Sequence, residues 1–201
     1  MVAEDLGPWA PCSVDEVVAR FAGAPMRWWI SGGHALALHV GRTWRTHDDT
    51  DVGIVRHEAP QVQDVLTGWE VWVAAAGALR VWDGAALDAE HHENNLWCRP
   101  GAEAPWALDV TVGEGDATHW IYRRDPRLRV PWAEAIRQSG SGVPYLAPDL
   151  QLLFKAKGLR PKDTVDAEVV IPTLAAVERA RLRRWLPADH PWMRLVDAQD
   201  R

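Results

Sequence analysis

The feature that most constrains this chain is the stretch GGHALALHVGRTWRTHDDTDVGI, residues 32–54. Two glycines open an apolar run of helical character, and the aspartates at positions 48, 49 and 51 then lead into a strand-like run. Like charges that lie so close together repel one another, so we expect a counter-charge beside them. The stretch therefore predicts a compact unit in which a helix and a strand bring glycines and carboxylates together.

The spacing of the aspartates predicts which of them act together. If residues 50–55 form a strand, Asp49 and Asp51 point to the same side and Asp48 points away. Two carboxylates on one side of a strand start can hold a hard divalent cation such as Mg²⁺. The competing interpretation is a solvated Asp-rich turn. His47, which precedes the aspartates, is expected to order them or to cap the turn.

Gly32 and Gly33 lie between a predicted strand at 26–30 and a predicted helix at 34–40. A glycine pair in this position lets backbone N–H groups approach a phosphate, and the start of a helix favours an anion. A simple tight turn is the alternative. The combination of a glycine pair with Asp-x-Asp is more specific than either part, because it places a phosphate site and a metal site in one unit.

Two-metal phosphoryl chemistry calls for a third acid on a neighbouring strand. Asp109, in the apolar run WALDVTV, is the candidate. A buried carboxylate without a partner is costly, and a metal ion would supply that partner. The alternative is an aspartate on an edge strand that faces water. Glu114 and Asp116, in a glycine-rich loop, are weaker candidates.

Lysine is confined to one short segment of the chain. Of 22 basic residues only Lys155, Lys157 and Lys162 are lysines, and the other 19 are arginines. The arginine excess, like the 13 tryptophans beside two Phe and two Tyr, indicates a genome-level codon preference. Lysine is a compact point charge, whereas arginine is a planar fork. A cluster of lysines in a chain that otherwise uses arginine therefore predicts a site that requires an ammonium group.

Lys155 and Lys162 flank a break at 158–161 between two predicted helices, so a helix-turn-helix can aim both at one triphosphate. Asp163 and Asp166 are three residues apart and share one face of the second helix. One of them could orient a lysine or act as a base toward an acceptor hydroxyl. The alternative is an aspartate that merely favours the first turn of a helix.

The predicted fold class is mixed α/β (α+β), with a mixed sheet flanked by helices. An α/β core is expected over residues 1–138 and a helical C-terminal region over 139–201, separated by a flexible SGSG break at 139–142. The predicted helices cover 14–22 (capped by Ser13), 34–40, 58–68, 147–158 and 161–174, with one or two more in the tail. The predicted strands cover 26–30, 50–55, 69–74, 78–82, 94–100, 106–113, 119–124 and 127–132.

Composition argues against several classes of protein. The net charge of −6 disfavours a non-specific nucleic-acid binder. No apolar run is long enough to span a membrane, and MVAEDLGPWA lacks the pattern of a signal peptide. Cys12 and Cys98 match neither a disulfide framework nor a zinc spacing. We therefore expect a cytoplasmic protein with no membrane partner.

The same residues carry a family resemblance. SGGHALALHVGRTWRTHDDTDVGI resembles the signature of the DNA polymerase beta-type nucleotidyltransferase superfamily, and its Arg-x-His-Asp-Asp-x-Asp run is similar to aminoglycoside nucleotidyltransferases. The later LLFKAKGLRPKDTVDAEVV resembles the Lys…Arg-x-Lys-Asp-x-x-Asp segment of abortive-infection-type nucleotidyltransferases. The resemblance spans about residues 27–170. The gap between Gly33 and Asp49 is longer than in compact members, and the aminoglycoside-type members share it.

The resemblance implies a nucleotidyltransferase fold and a set of site residues. Two Mg²⁺ ions would be held by Asp49, Asp51 and Asp109, and Asp163 joins these three as an expected catalytic residue. The expected nucleotide-binding residues are Gly32, Gly33, Lys155 and Lys162.

The expected reaction is transfer of a nucleoside monophosphate from a Mg-NTP, with ATP the expected nucleotide, to an acceptor hydroxyl. Candidate acceptors are a small molecule such as an aminoglycoside, a protein hydroxyl and a tRNA end. The acidic overall charge favours a cationic small molecule over RNA. Two rival functions stay open, namely a non-catalytic nucleotide-binding module (antitoxin-like or regulatory) and a metal-dependent phosphoesterase. The lysine cluster favours the transferase, because a triphosphate needs more positive charge than a monoester does.

Overall fold

The computed structural model describes residues 6–199. The α-helices are α1 (Val14–Phe21), α2 (Gly32–Val40), α3 (Val62–Val65), α4 (Trp132–Ala135), α5 (Pro148–Ala156), α6 (Pro161–Val170), α7 (Ala176–Trp185) and α8 (Met193–Ala198). The strands are β1 (Trp28–Ile30), β2 (Asp51–Val55), β3 (Glu70–Ala75), β4 (Ala78–Val81), β5 (Asn95–Arg99), β6 (Leu108–Gly115), β7 (His119–Ile121), β8 (Arg129–Pro131), β9 (Ile136–Gln138) and β10 (Pro144–Leu146). Two 3₁₀ helices cover Arg56–Gln61 and Ile171–Thr173.

The strands form one mixed sheet in the order β4-β3-β5-β6-β2-β1-β10-β9. The pairs β2–β6 and β1–β10 are parallel, and the other pairs are antiparallel. β7 pairs with the end of β6 and with β8, outside this order. The predicted fold class is confirmed. Asp109 lies on β6 in the interior of the sheet, so it is not the edge-strand residue of the alternative interpretation.

The two central strands, β2 and β6, alternate between an apolar face and a polar face. Their apolar side chains join the hydrophobic core that packs against α1 and α3, and they are Val52, Ile54, Leu108, Val110 and Val112. Asp51 and Asp109 alternate with these residues and therefore point to the opposite face. The C-terminal helices α5 to α8 form a second core with Trp29, Leu36 and Trp120 on this opposite side. The alternation thus aims the aspartates toward the C-terminal helices.

Several predicted helices differ in extent from the observed ones. The predicted helix at 58–68 is a 3₁₀ helix followed by the single turn α3, and Pro60, which has no backbone N–H, lies inside the 3₁₀ segment. α2 begins at Gly32 rather than at 34, so the glycine pair forms its first turn. The capping box of Ser13 and Glu16 confirms the predicted start of α1.

The sheet continues past the predicted boundary between residues 138 and 139. Residues 139–142 form the turn of a β-hairpin, in which the Gly142 N–H donates to the Ser139 carbonyl at 2.9 Å and β9 pairs with β10. The expected helical region over 139–201 therefore opens with a strand, because β10 pairs with β1 and the helices begin at Pro148. No helix in residues 6–199 has the length and hydrophobicity needed to cross a membrane.

Candidate active site

A cleft of about 700 Å³ lies between the polar face of the sheet and the helices α5 and α6. Every site residue expected from the sequence lines it, namely Gly32, Gly33, Asp49, Asp51, Asp109, Lys155, Lys162 and Asp163. Further basic side chains line the same cleft, and they are Arg45, Arg123, Arg124, Lys157 and Arg160. The carboxylates of the sheet and the basic side chains of the helices thus line the same cleft.

Asp51 and Asp109 are direct neighbours on the parallel strands β2 and β6. Burial, followed by the charges of Asp109 and Asp49, raises the pKa of Asp51 well above its ordinary value. Burial also raises the pKa of Asp109 to about 7, although Asn95 Nδ2 donates to both of its carboxylate oxygens at 2.8 and 3.0 Å. Within residues 6–199 neither carboxylate forms an ion pair with a basic side chain. A bound cation would therefore reduce the repulsion between the two carboxylates and favour their ionised forms.

Asp49 and Asp48 diverge as predicted. Asp49 lines the cleft, whereas the Asp48 side chain is 82% exposed and its Oδ2 lies 3.5 Å from the Lys162 Nζ. β2 begins only at Asp51, so Asp49 belongs to the preceding loop. Strand alternation therefore does not govern Asp48 and Asp49, although only Asp49 of the two lines the cleft.

The donor chemistry of the cleft fits Mg²⁺, although the carboxylates do not form a closed metal site. In the part of the chain that the structure describes, no group of three or more His, Cys, Asp or Glu side chains is arranged to hold a metal ion. The available donors are hard carboxylate oxygens, which Mg²⁺ prefers. Burial and the neighbouring carboxylates raise the pKa values of Asp51 and Asp109, and a bound cation would oppose both effects.

The glycine pair packs directly on polar side chains of the site. A Cβ on Gly32, whose φ is +64°, would lie 1.9 Å from Oδ2 of Asp51. A Cβ on Gly33 would lie 2.3 Å from the His47 ring. The Gly32 N–H donates to Oε1 of Gln151 at 2.9 Å, so this amide is engaged by a side chain of α5. Binding of a phosphate to the Gly32 amide would require Gln151 to move.

Lys155 is buried between two aspartates of α6. Its Nζ lies 2.9 Å from Oδ2 of Asp166 and 3.3 Å from Oδ1 of Asp163. Asp166 also accepts two hydrogen bonds at 2.8 Å from the Arg45 guanidinium and one at 3.1 Å from Trp44 Nε1. Asp166 thus joins the loop that carries the Asp-x-Asp residues to the helices that carry the lysines.

Asp163 is held between two cations. Besides Lys155, it accepts hydrogen bonds from the Arg160 Nε at 2.8 Å and from the Arg160 backbone N–H at 3.2 Å. Burial raises the pKa of Asp163, but Arg160 and Lys155 together outweigh burial and lower it. A carboxylate kept ionised in this way is better suited to orient Lys155 than to accept a proton.

The His47 ring packs against His34, with 4.3 Å between the ring centroids. Burial, with further contributions from His34 and Arg45, lowers the pKa of His47 to about 4. His47 is therefore neutral near pH 7. These contacts join His47 to α2, and its expected role in ordering the aspartates stays a prediction.

The sequence did not indicate several residues of the cleft. Arg45 lies inside the first motif, but a chain so rich in arginine carries no signal that distinguishes it. Gln151 and Asn95 have ordinary local contexts, and only the packing of α5 and β5 shows what they contact. Arg123 follows β7 and reaches the cleft through the fold alone. Three aromatic residues also line the cleft, and they are Trp29, Trp120 and Phe154.

Comparison with known proteins finds a family model and solved structures that are similar to this chain. The family model for aminoglycoside-2''-adenylyltransferase matches residues 13–78, which include the glycine pair and the Asp-x-Asp residues. The crystal structure of ANT(2")-Ia in complex with adenylyl-2"-tobramycin aligns with a TM-score of 0.55 at 16% identity, over 85% of this chain and 95% of that one. The lincomycin-bound crystal structure of the lincosamide antibiotic adenylyltransferase LnuA aligns with a TM-score of 0.53 at 16% identity, over 78% and 93%.

A solution structure of the antibiotic-resistance factor ANT(2'')-Ia aligns with a TM-score of 0.54 at 15% identity, over 85% of this chain and 87% of that one. Comparison with curated protein sequences finds no match. The fold is that of these nucleotidyltransferases, and the resemblance to aminoglycoside nucleotidyltransferases is confirmed over residues 13–78.

Proposed function

We propose that this chain is a metal-dependent nucleotidyltransferase that moves a nucleoside monophosphate from a Mg-NTP to the hydroxyl of a small acceptor and releases pyrophosphate. ATP is the expected nucleotide. The observation that carries the proposal is that Asp49, Asp51 and Asp109 line one cleft together with the chain's three lysines. An acidic metal-binding group opposite a triphosphate-binding group is what this reaction requires.

Asp49, Asp51 and Asp109 would hold the Mg²⁺ ions. Bound Mg²⁺ would neutralise charge on the phosphates and favour loss of the acceptor proton. The side chains have their own contribution. Asn95 fixes the orientation of the Asp109 carboxylate through two hydrogen bonds. The backbone of Gly32 packs against Asp51 and limits the rotation of the Asp51 carboxylate.

The cations of the helical side would bind the triphosphate. Lys155 is pre-oriented by Asp163 and Asp166, so it does not have to be ordered when the nucleotide binds. Lys162, Lys157 and Arg160 line the same side with greater exposure and can follow the phosphates. The start of α2 at the glycine pair adds a partial positive charge on the other side of the cleft.

Antibiotic hydroxyls are the first acceptor class to assay, because the aligned structures contain adenylyl-2"-tobramycin and lincomycin. The full chain would be incubated with α-labelled NTPs, Mg²⁺ and aminoglycosides, lincosamides or tRNA. We expect label on a small acceptor together with release of pyrophosphate, and we expect Asp51→Asn to abolish both. Asp64→Asn is the matched control, since that aspartate is exposed on α3 and does not line the cleft.

The same experiment separates the rival functions. Binding of Mg-NTP without transfer to any acceptor would indicate a nucleotide-binding module. Release of phosphate from simple phosphoesters without an NTP would indicate a phosphoesterase. If the wild-type chain does not bind Mg-NTP, or if Mg-NTP stabilises Asp51→Asn as much as wild type against thermal unfolding, the proposal is wrong.

A further inference from the structure

Ser31 lies between β1 and α2, and its side chain is buried in the wall of the cleft. It is 6% exposed and occupies the N-cap position of α2. A serine at this position normally accepts a hydrogen bond from an amide of the first helical turn, but the Ser31 hydroxyl accepts none. Its backbone is fixed, since its N–H donates to the Asp51 carbonyl at 2.9 Å and its carbonyl accepts from the Ala35 N–H at 3.2 Å. Among residues 6–199 the hydroxyl is therefore held in place without a partner.

Gln151 reaches the same point from α5. It is 6% exposed and lines the cleft, and its Oε1 accepts the hydrogen bond from the Gly32 N–H. Because a backbone N–H can only donate, this contact determines which end of the carboxamide is the oxygen. The Nε2 group has two N–H donors and no acceptor in the part of the chain that the structure describes. The carboxamide is thus oriented at one end and unpaired at the other.

These two groups differ from the other polar and charged side chains that are buried within residues 6–199. Each of the others forms a hydrogen bond or an ion pair with its functional group. Three buried side-chain atoms elsewhere lack a hydrogen bond, but none of their residues lines the cleft. A buried donor without a partner costs free energy, and a ligand in the cleft would remove that cost.

Gly32 places both groups beside the proposed metal and phosphate sites. Ser31 precedes Gly32, and Gln151 bonds to the Gly32 amide. The Gly32 backbone packs against the carboxylate of Asp51 on its other side. Gln151 also lies four residues before Lys155, so the two side chains share one face of α5. The hydroxyl and the Nε2 group therefore lie between the proposed Mg²⁺ ligands and the buried lysine.

We propose that Ser31 and Gln151 are phosphate-binding residues of this site, with the Ser31 hydroxyl and the Gln151 Nε2 group donating to oxygens of the triphosphate. This inference rests on the proposed nucleotidyltransferase function and adds two neutral ligands to its lysines. Gln151 extends the reach of the Gly32 amide, because the amide holds Oε1 while Nε2 presents its donors to the cleft. Hydrogen bonds to an ionised oxygen are stronger than those between neutral groups, and neither donor gives up a protein partner to form one.

The test measures binding to the full chain by calorimetry in the presence of Mg²⁺. The probes are inorganic triphosphate, which has no nucleoside, and a non-hydrolysable ATP analogue. Ser31→Ala and Gln151→Met should each weaken both probes roughly tenfold, because each removes a hydrogen bond to a charged group. Ser31→Ala should leave the melting temperature of the ligand-free chain unchanged, since the hydroxyl has no protein partner. A merely structural serine would instead change stability without changing affinity.

Two exposed residues outside the cleft supply matched controls. Ser141→Ala lies in the β9–β10 turn, and Gln138→Met lies on β9. Both make the same chemical changes as the test variants, and both should leave the affinity for triphosphate unchanged.

The outcomes separate this inference from the function on which it rests. The inference is overturned if Ser31→Ala keeps the wild-type affinity for triphosphate, or if Gln151→Met keeps or raises it. A raised affinity would show that Gln151 obstructs the Gly32 amide instead of serving the phosphates. A loss that appears with the ATP analogue and not with triphosphate also overturns it, because the side chains would then contact the nucleoside. If the wild-type chain binds neither probe, the proposed function itself fails.

Discussion

The backbone of Gly32 packs so closely against the carboxylate of Asp51 that a Cβ at position 32 would lie 1.9 Å from Oδ2. The first turn of α2 and the first residue of β2 are thus in direct contact, and the Ser31 N–H donates to the Asp51 carbonyl at 2.9 Å. This contact explains why one motif contains both a glycine and an aspartate 19 positions later. Each residue limits the space that the other can use.

Gly32→Ala should therefore disrupt the site more than it disrupts the fold. The new methyl group would push the Asp51 carboxylate out of place, and the left-handed φ adds about 1–2 kcal/mol of strain. We expect loss of Mg-NTP binding, measured by calorimetry. Gly41→Ala is the control, because Gly41 has a φ of +77° but open space around its Cβ position. Equal loss of nucleotide binding in both variants would contradict this account.

Asp51→Asn and Asp109→Asn should each lower transfer by about 10²-fold or more, since each removes a carboxylate that would hold the Mg²⁺ ions. Without Mg²⁺ the variants should be at least as stable as wild type, because burial disfavours the ionised forms. Turnover and thermal unfolding with and without Mg²⁺ check both statements. A variant that keeps wild-type turnover would remove that aspartate from the proposed set.

Asp166→Asn should destabilise the chain by about 3 kcal/mol, because it leaves Arg45 without its buried partner and Lys155 with Asp163 alone. Burial raises the pKa of Asp166, but Arg45 and Lys155 outweigh burial and lower it. The folded state therefore binds fewer protons than the unfolded state, and the stability from Asp166 is lost as pH falls through its lowered pKa. Urea unfolding at pH 7 and pH 3 should show a smaller pH effect in the variant.

The control for Asp166→Asn is Glu168→Gln, which lies on the same helix at an exposed position. We expect the free energy of unfolding of this variant to stay within about 0.5 kcal/mol of wild type. A loss as large as that of Asp166→Asn would show that any charge change on α6 is harmful.

Lys155→Arg should lower kcat/KM by about 10- to 100-fold, although it keeps the charge. The ammonium is buried between Asp163 and Asp166, and a planar guanidinium of greater volume would misplace the groups around it. Lys162→Arg should change kcat/KM by less than about fivefold, because Lys162 is partly exposed and its ion pair with Asp48 is weak. Steady-state kinetics compare the two, and full activity of Lys155→Arg would refute a requirement for lysine.

Local geometry was sufficient for much of the prediction. The start of the first helix at Ser13 and the strands that carry Asp51 and Asp109 each depend on residues close in the chain. The errors also have a local origin. The composition around Pro60 predicts a helix. The SGSG segment is typical of a linker, because the sequence does not show that Gly142 donates to Ser139 and Ser139 donates to Val143.

The sequence by itself determined the pattern of the site: a glycine pair, spaced carboxylates and a segment that keeps lysine in a chain rich in arginine. Only the tertiary structure decided which of these groups meet. The pairing of β2 with β6 places Asp51 beside Asp109, and Arg45 reaches Asp166 across 121 positions. Side-chain alternation is a property of neighbouring residues, whereas burial, ion pairing and the raised pKa values depend on which distant segments pack together.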